Sequence, residues 1–150
     1  DWLSRFTGMK DSTAFLELSR TYKLYFLRRY AAKLSYEIAL HTRGLESAPL
    51  RYKENLESAL TFQHPESHYL MDVDDGFYTA NYLRAWIFEA QVRRVLKETF
   101  GNNWFEKKSA GIQLQKWWSL GQKFRVEEIL RDLGYSGLDI RPLLDDLQAS

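Results

Sequence analysis

The sequence has no cysteine, three prolines and two methionines in 150 residues. Without cysteine there is no disulfide framework, no thiolate metal site and no thiol nucleophile. Neither sign of charge dominates: 21 Lys and Arg face 20 Asp and Glu, for a net charge of +1. A nucleic-acid surface needs a basic excess, so nucleic acid is excluded as a partner. No apolar run approaches the ~18 residues of a membrane-spanning helix, which excludes a membrane partner of that kind. A Gly-rich phosphate loop, a nucleophile elbow and a zinc-helix motif are all missing. Aromatic residues, by contrast, are plentiful, with 5 Trp, 9 Tyr and 9 Phe making up 15% of the chain. With 45% hydrophobic and 27% charged residues, the composition excludes disorder. The length fits a single domain over residues 1–150, able to bury about 70% of its unfolded surface. The lack of cysteine suits the cytoplasm. The chain opens on Asp1 rather than Met, which raises the expectation of a fragment whose partner segment lies elsewhere and leaves open a removed signal peptide.

The hydrophobic periodicity is helical throughout, with no period-2 alternation bounded by hairpin turns. A first helix is expected over about 11–44, capped by Asp11 or Ser12 and stopped by Gly44. Phe15, Leu18, Tyr22, Tyr25 and Phe26 recur at helical spacing, continued by Leu34, Ile38 and Leu40. Arg28, Arg29, Lys33 and Arg43 crowd its second half, where cations suit the negative end of the dipole. A second helix is expected over about 49–63, with Leu50, Leu56, Leu60 and Phe62 inward. An irregular stretch from His64 to Gly76 follows. The third helix, about 77–100, is apolar around most of its circumference, the pattern of a buried element. Shorter helices are expected over 109–121, 126–134 and 139–148, the last capped by Asp139. The expected fold class is all-α, a multi-helix bundle with one long buried central helix.

Four patterns bear on chemistry. His64 and His68 stand four apart, but a zinc helix needs the general-base Glu directly after the first His. Pro65 holds that place, so the segment reads as a solvated loop. Asp72, Asp74 and Asp75 are acidic enough for calcium, yet counting back from Gly76 puts Met71 at the first position of an EF-hand loop, where aspartate is required. Asp74 and Asp75 fit better as carboxylates at a helix N-terminus. Tyr78, Tyr82, Trp86 and Glu89 share one helix face. Such a stripe reads as core; its functional alternative has one or two phenols pointing into a cleft, where they donate to a developing oxyanion. Arg84 needs a carboxylate or carbonyl partner if buried, and Glu89 has Arg93 one turn on. No spacing of Ser, His and acid assembles a triad.

The stretch from His68 to Gln91 resembles the C-terminal substrate-binding helix of the all-helical zinc peptidases, the thimet oligopeptidase and neurolysin family, and more distantly angiotensin-converting enzyme. In those families a His-containing loop leads to a helix beginning Gly-Tyr or Pro-Tyr, with further tyrosines at one-turn spacing, then an aromatic and a Gln. Here Gly76-Phe77 stands for the Gly-Tyr pair, Tyr82 for the helix tyrosine, Trp86 for the aromatic and Gln91 for the Gln. Downstream, Ser109 to Gly111, Trp117 to Leu120, Gly121-Gln122 and Ile129-Leu130 to Gly134 follow the family's order, with Gln122 in place of its arginine. The run Tyr22 to Arg29 would fit the helix after the metal-binding region.

The resemblance spans roughly residues 11 to 147. It implies the C-terminal portion of a zincin-like helical peptidase, lacking the upstream His-Glu-x-x-His helix and the glutamate ligand. The chain alone would then hold no metal and be inactive. Zn2+ would be bound in the intact parent protein, whose missing N-terminal catalytic part would be this chain's partner and a peptide its substrate. Tyr82 and Tyr78 are implied as oxyanion and substrate donors in the intact enzyme, and His68 and Arg84 as substrate-binding residues. Phe77 lacks the phenol found at its place in the family.

Two other readings stand beside this one. A self-contained helical interaction or ligand-binding module would have a complete core and no large bare aromatic face. A free-standing enzyme would use His64 and His68.

Overall fold

A computed structural model of the chain describes residues 2–148. The described residues are 73% helical and contain no strand, so the fold is an all-α helical bundle. Seven α-helices follow in order: α1 (Trp2–Thr7), α2 (Thr13–Arg43), α3 (Ala48–Leu60), α4 (Tyr78–Phe100), α5 (Lys108–Trp118), α6 (Val126–Asp132) and α7 (Arg141–Gln148). Short 3-10 turns at 66–68, 75–77 and 104–106 join them. The chain divides into two compact units, residues 1–83 and 84–150.

In the first unit, α2 packs on α3. The core is two rows of side chains at four-residue spacing, Ala32, Tyr36 and Leu40 from α2 and Ala48, Tyr52, Leu56 and Leu60 from α3. Residues four apart stand one above the other on a helix, so each row is a single ridge. Tyr36 and Tyr52 meet edge to face across the interface, ring centres 5.1 Å apart. The α3 row differs from the sequence expectation: Leu56 and Leu60 are buried, but Leu50 and Phe62 are exposed. Leu50 lies about 200° around the helix from Ala48, and Phe62 lies past the end of α3, so neither can join a ridge built on Ala48 and Tyr52. Asp11 accepts the Thr13 amide at 2.9 Å and so opens α2.

The loop 61–77 returns the chain from α3 to α4. Its end is conformationally tight: Gly76 and Phe77 both have left-handed φ, 59° and 57°. Glycine takes this conformation freely, whereas a bulky residue there is a genuine outlier costing of order 1–3 kcal/mol.

α4 is not the enclosed central helix that its composition suggests. Thr79, Ala90, Gln91 and Leu96 are buried, while Tyr78 and Tyr82 are exposed and Trp86 half-buried. Apolar residues around a circumference report what a helix could bury, not what covers it. In the second unit Leu130 of α6, Ala110 of α5 and Leu143 of α7 are buried. The Gln91 amide donates to the Gly137 carbonyl and accepts from the Asp139 amide, both at 3.1 Å, and so fixes the loop before α7. Asp139 in turn caps α7 by accepting the Arg141 amide at 3.0 Å.

Candidate functional site

The i, i+4 spacing of Tyr78 and Tyr82 puts both rings on one face of α4. Their ring centres lie 5.3 Å apart at 87°, the edge-to-face geometry aromatic pairs favour. On its other side Tyr82 meets Tyr30 of α2, 5.2 Å away at 72°. Tyr78 is 54% and Tyr82 42% exposed. At that exposure these two rings are surface side chains rather than core. A row of rings continues along α2 from Tyr30 to Phe26 and Tyr22.

His68 sits exposed on the 3-10 turn 66–68. Among the described residues no hydrogen bond or ring contact joins it to either tyrosine. His64 instead stacks on Phe62, ring centres 5.0 Å apart. Among the described residues no group of three or more His, Asp and Glu is placed to hold a metal ion. Arg84 belongs to the second unit, where it is not buried and pairs with Glu127 at 2.5 Å. That hydrogen bond holds the Glu127 carboxyl below the usual carboxylate range. The Glu89–Arg93 pair expected one turn apart is present at 2.9 Å.

The most organised polar site is one that the residue patterns did not single out. Arg29, Lys33 and Glu37 form a row at four-residue spacing on α2, beside the core row of Ala32, Tyr36 and Leu40. The loop returning to α4 lays Asp72 and Asp74 against it. Arg29 Nη2 reaches both Asp72 oxygens, at 2.8 and 2.7 Å. Lys33 Nζ lies 2.9 Å from Asp74 and 3.6 Å from Asp72. The Tyr52 hydroxyl donates to Asp72 at 3.0 Å, and burial beside that carboxylate pushes its pKa up to about 12. The Tyr36 hydroxyl donates to the Tyr69 carbonyl at 2.7 Å.

These contacts correct two expectations. Arg29 and Lys33 are not partners of the α2 dipole, whose influence is confined to the last turn; they are counterions of the loop. Asp74 makes no side-chain bond to free helix amides. Its carboxylate accepts the Thr79 hydroxyl at 2.6 Å, and that bond holds its pKa below the usual carboxylate range.

Glu37 completes the network. It is fully buried; one oxygen accepts the Asp74 amide at 2.8 Å, and the other has no hydrogen-bond partner among the described residues. Burial raises its pKa. The charge count agrees: two cations already balance Asp72 and Asp74, so a third carboxylate would be an uncompensated buried charge.

The second unit holds two apolar cavities that the sequence reading did not anticipate. One of about 440 Å³ lies among Val95, Phe100, Trp117, Leu120 and Leu133. Another of about 270 Å³ lies among Phe88, Val92, Leu114, Trp117 and Ile129. Trp117 lines both. No helix among the described residues is long and apolar enough to cross a membrane. Comparison of the chain with protein-family models, with curated proteins and with solved structures finds no match.

Proposed function

We propose that this chain is the C-terminal, substrate-cleft portion of a zinc-dependent oligopeptidase, with the metal held by residues outside these 150. The observation that carries the reading is the exposed, edge-to-face pair of Tyr78 and Tyr82 on the first turns of α4. A metal in such an enzyme supplies an activated water. The part left to this chain is to receive the peptide. Tyr82 would donate its phenolic proton to the substrate carbonyl oxygen as negative charge develops there, without bringing a charge of its own. Tyr78, one turn earlier, would be the second donor. His68 and Arg84 rest on the resemblance alone as substrate-binding residues.

The competing reading is a self-contained interaction module. The first half of α2 speaks against it: Phe15, Leu16, Leu18, Tyr22 and Leu24 are each 43–63% exposed. A self-contained monomer seldom leaves five large apolar side chains bare within ten residues, whereas a cleft portion would lose such cover with the rest of its enzyme.

The test is peptide hydrolysis by the longer protein that contains this sequence. The reading expects chelator-sensitive cleavage there, and neither zinc uptake nor cleavage by the isolated chain. Chelator-sensitive cleavage by the isolated chain, or an inert longer protein with no zinc, would overturn it.

A further inference from the structure

We propose that Glu37 is a positioning residue for the Tyr78–Tyr82 pair, acting through Asp74 and Thr79. The role assigned to the tyrosines rests on the oligopeptidase reading; the hold on α4 does not.

The path is short and is buried at both ends, with the Asp74 side chain between them 30% exposed. Glu37, at 0% exposure, accepts the backbone amide of Asp74 at 2.8 Å. The Asp74 side chain accepts the Thr79 hydroxyl at 2.6 Å, and Thr79 is also fully buried. Thr79 lies on the first turn of α4, directly after Tyr78 and three residues before Tyr82. Fixing Thr79 fixes the rotation of that turn about its axis, and the two rings project to one side of it, Tyr78 about 100° and Tyr82 about 60° away. An anchor at this place sets where both phenols point.

The connection that precedes this turn is strained and has to be held. Phe77 carries a left-handed φ of 57°, a conformation that persists only when its surroundings over-determine it. On one side His41 of α2 packs edge to face on the Phe77 ring, centres 5.0 Å apart. On the other side is the Glu37–Asp74–Thr79 path. Lys33 adds a second tie to Asp74 at 2.9 Å. Each tie starts on α2, so α2 carries the frame against which α4 begins.

Glu37 is costly for a purely structural residue. Its second oxygen is buried with no hydrogen-bond partner among the described residues, an arrangement that usually destabilises. An apolar residue would pack here without that cost, but it could not accept the Asp74 amide. The acceptor is the property the site keeps.

The test combines amide hydrogen exchange with turnover. In the isolated chain, Glu37→Ala and Thr79→Val should each speed exchange of the Asp74 amide and of residues 81–86 by about tenfold or more, leaving α3 unchanged. Glu37→Gln keeps a carbonyl acceptor and should exchange within about twofold of the parent. In the longer protein, Glu37→Ala should lower kcat about tenfold with KM unchanged, and Glu37→Gln should restore it. Unchanged exchange in Glu37→Ala and Thr79→Val would overturn the proposal. So would faster exchange with normal kcat in a protein whose Tyr82→Phe variant is impaired. Faster exchange with Tyr82→Phe fully active would uphold the Glu37 anchor and defeat the oligopeptidase role of the tyrosine. Because Thr79→Val is nearly isosteric, it keeps the test decisive if Glu37→Ala fails to fold.

Discussion

Arg29 of α2 and Asp72 of the loop before α4 are 43 positions apart in sequence, yet one guanidinium nitrogen lies within 2.8 Å of both carboxylate oxygens. The pair is mostly shielded, with side-chain exposures of 23% and 16%. It ties the loop to α2 at the point where the chain turns toward the tyrosine-bearing helix.

Asp72 also accepts the Tyr52 hydroxyl and faces Lys33. Asp72→Asn would leave Arg29 and Lys33 facing a neutral group in a shielded site. The expected loss is about 2–4 kcal/mol of stability, read from the shift of the urea midpoint. A loss under about 0.5 kcal/mol would place the pair among ordinary surface salt bridges.

Glu37 gives a prediction with a definite sign. Lys33, Asp72 and Asp74 are the charged groups that act on it. Its pKa is raised in the folded state above the ordinary 4.5, so its contribution is fully present below pH 4.5 and is lost as pH rises through the folded value. Glu37→Gln, which cannot ionise, should match the parent near pH 4 and exceed it in stability at pH 7. Thermal unfolding at the two pH values checks this; a constant difference would mean that Glu37 does not titrate differently on folding. Asp74 works the opposite way. Its lowered pKa contributes stability above the ordinary 3.8 that is lost in stronger acid.

In the second unit, Gln91 is fully buried and both ends of its amide are bonded to the backbone of the loop before α7. Gln91→Ala would strand the Gly137 carbonyl and the Asp139 amide, at a cost of about 1–3 kcal/mol. Hydrogen exchange should speed up at residues 137–143 and stay unchanged in α3.

Arg84 is the contrasting case. Its pair with Glu127 is exposed on both sides, 44% and 38%, and such pairs contribute under about 1 kcal/mol. Arg84→Ala should therefore leave the melting temperature nearly unchanged. A raised KM in the longer protein would then report substrate contact; an unchanged KM would remove Arg84 from the substrate-binding set.

Much of the helical framework was legible because its signals are local. The 3.6-residue spacing along α2, Gly44 after its end and Asp139 before α7 each act within a turn or two of the chain. The candidate site was legible only in part. Tyr78 and Tyr82 stand out by spacing, but spacing does not say whether a stripe is covered. The network was hidden for a different reason. Arg29, Lys33 and Glu37 lie on one helix row, and that row of ionisable residues beside an apolar one was the available signal. Their partners Asp72 and Asp74 are about forty residues on, and nothing local pairs them. The left-handed Phe77 was equally hidden, since no sequence rule places a bulky ring at positive φ.

The most direct test of the central claim is the turnover of Tyr82→Phe in the longer protein, measured on a peptide substrate against the parent. The change removes one phenolic oxygen and keeps the ring that packs on Tyr30 and Tyr78. If Tyr82 donates to the developing oxyanion, kcat should fall about tenfold to a thousandfold with the fold intact. An unchanged kcat would mean that Tyr82 is only part of an aromatic surface, and would contradict the oligopeptidase reading of α4.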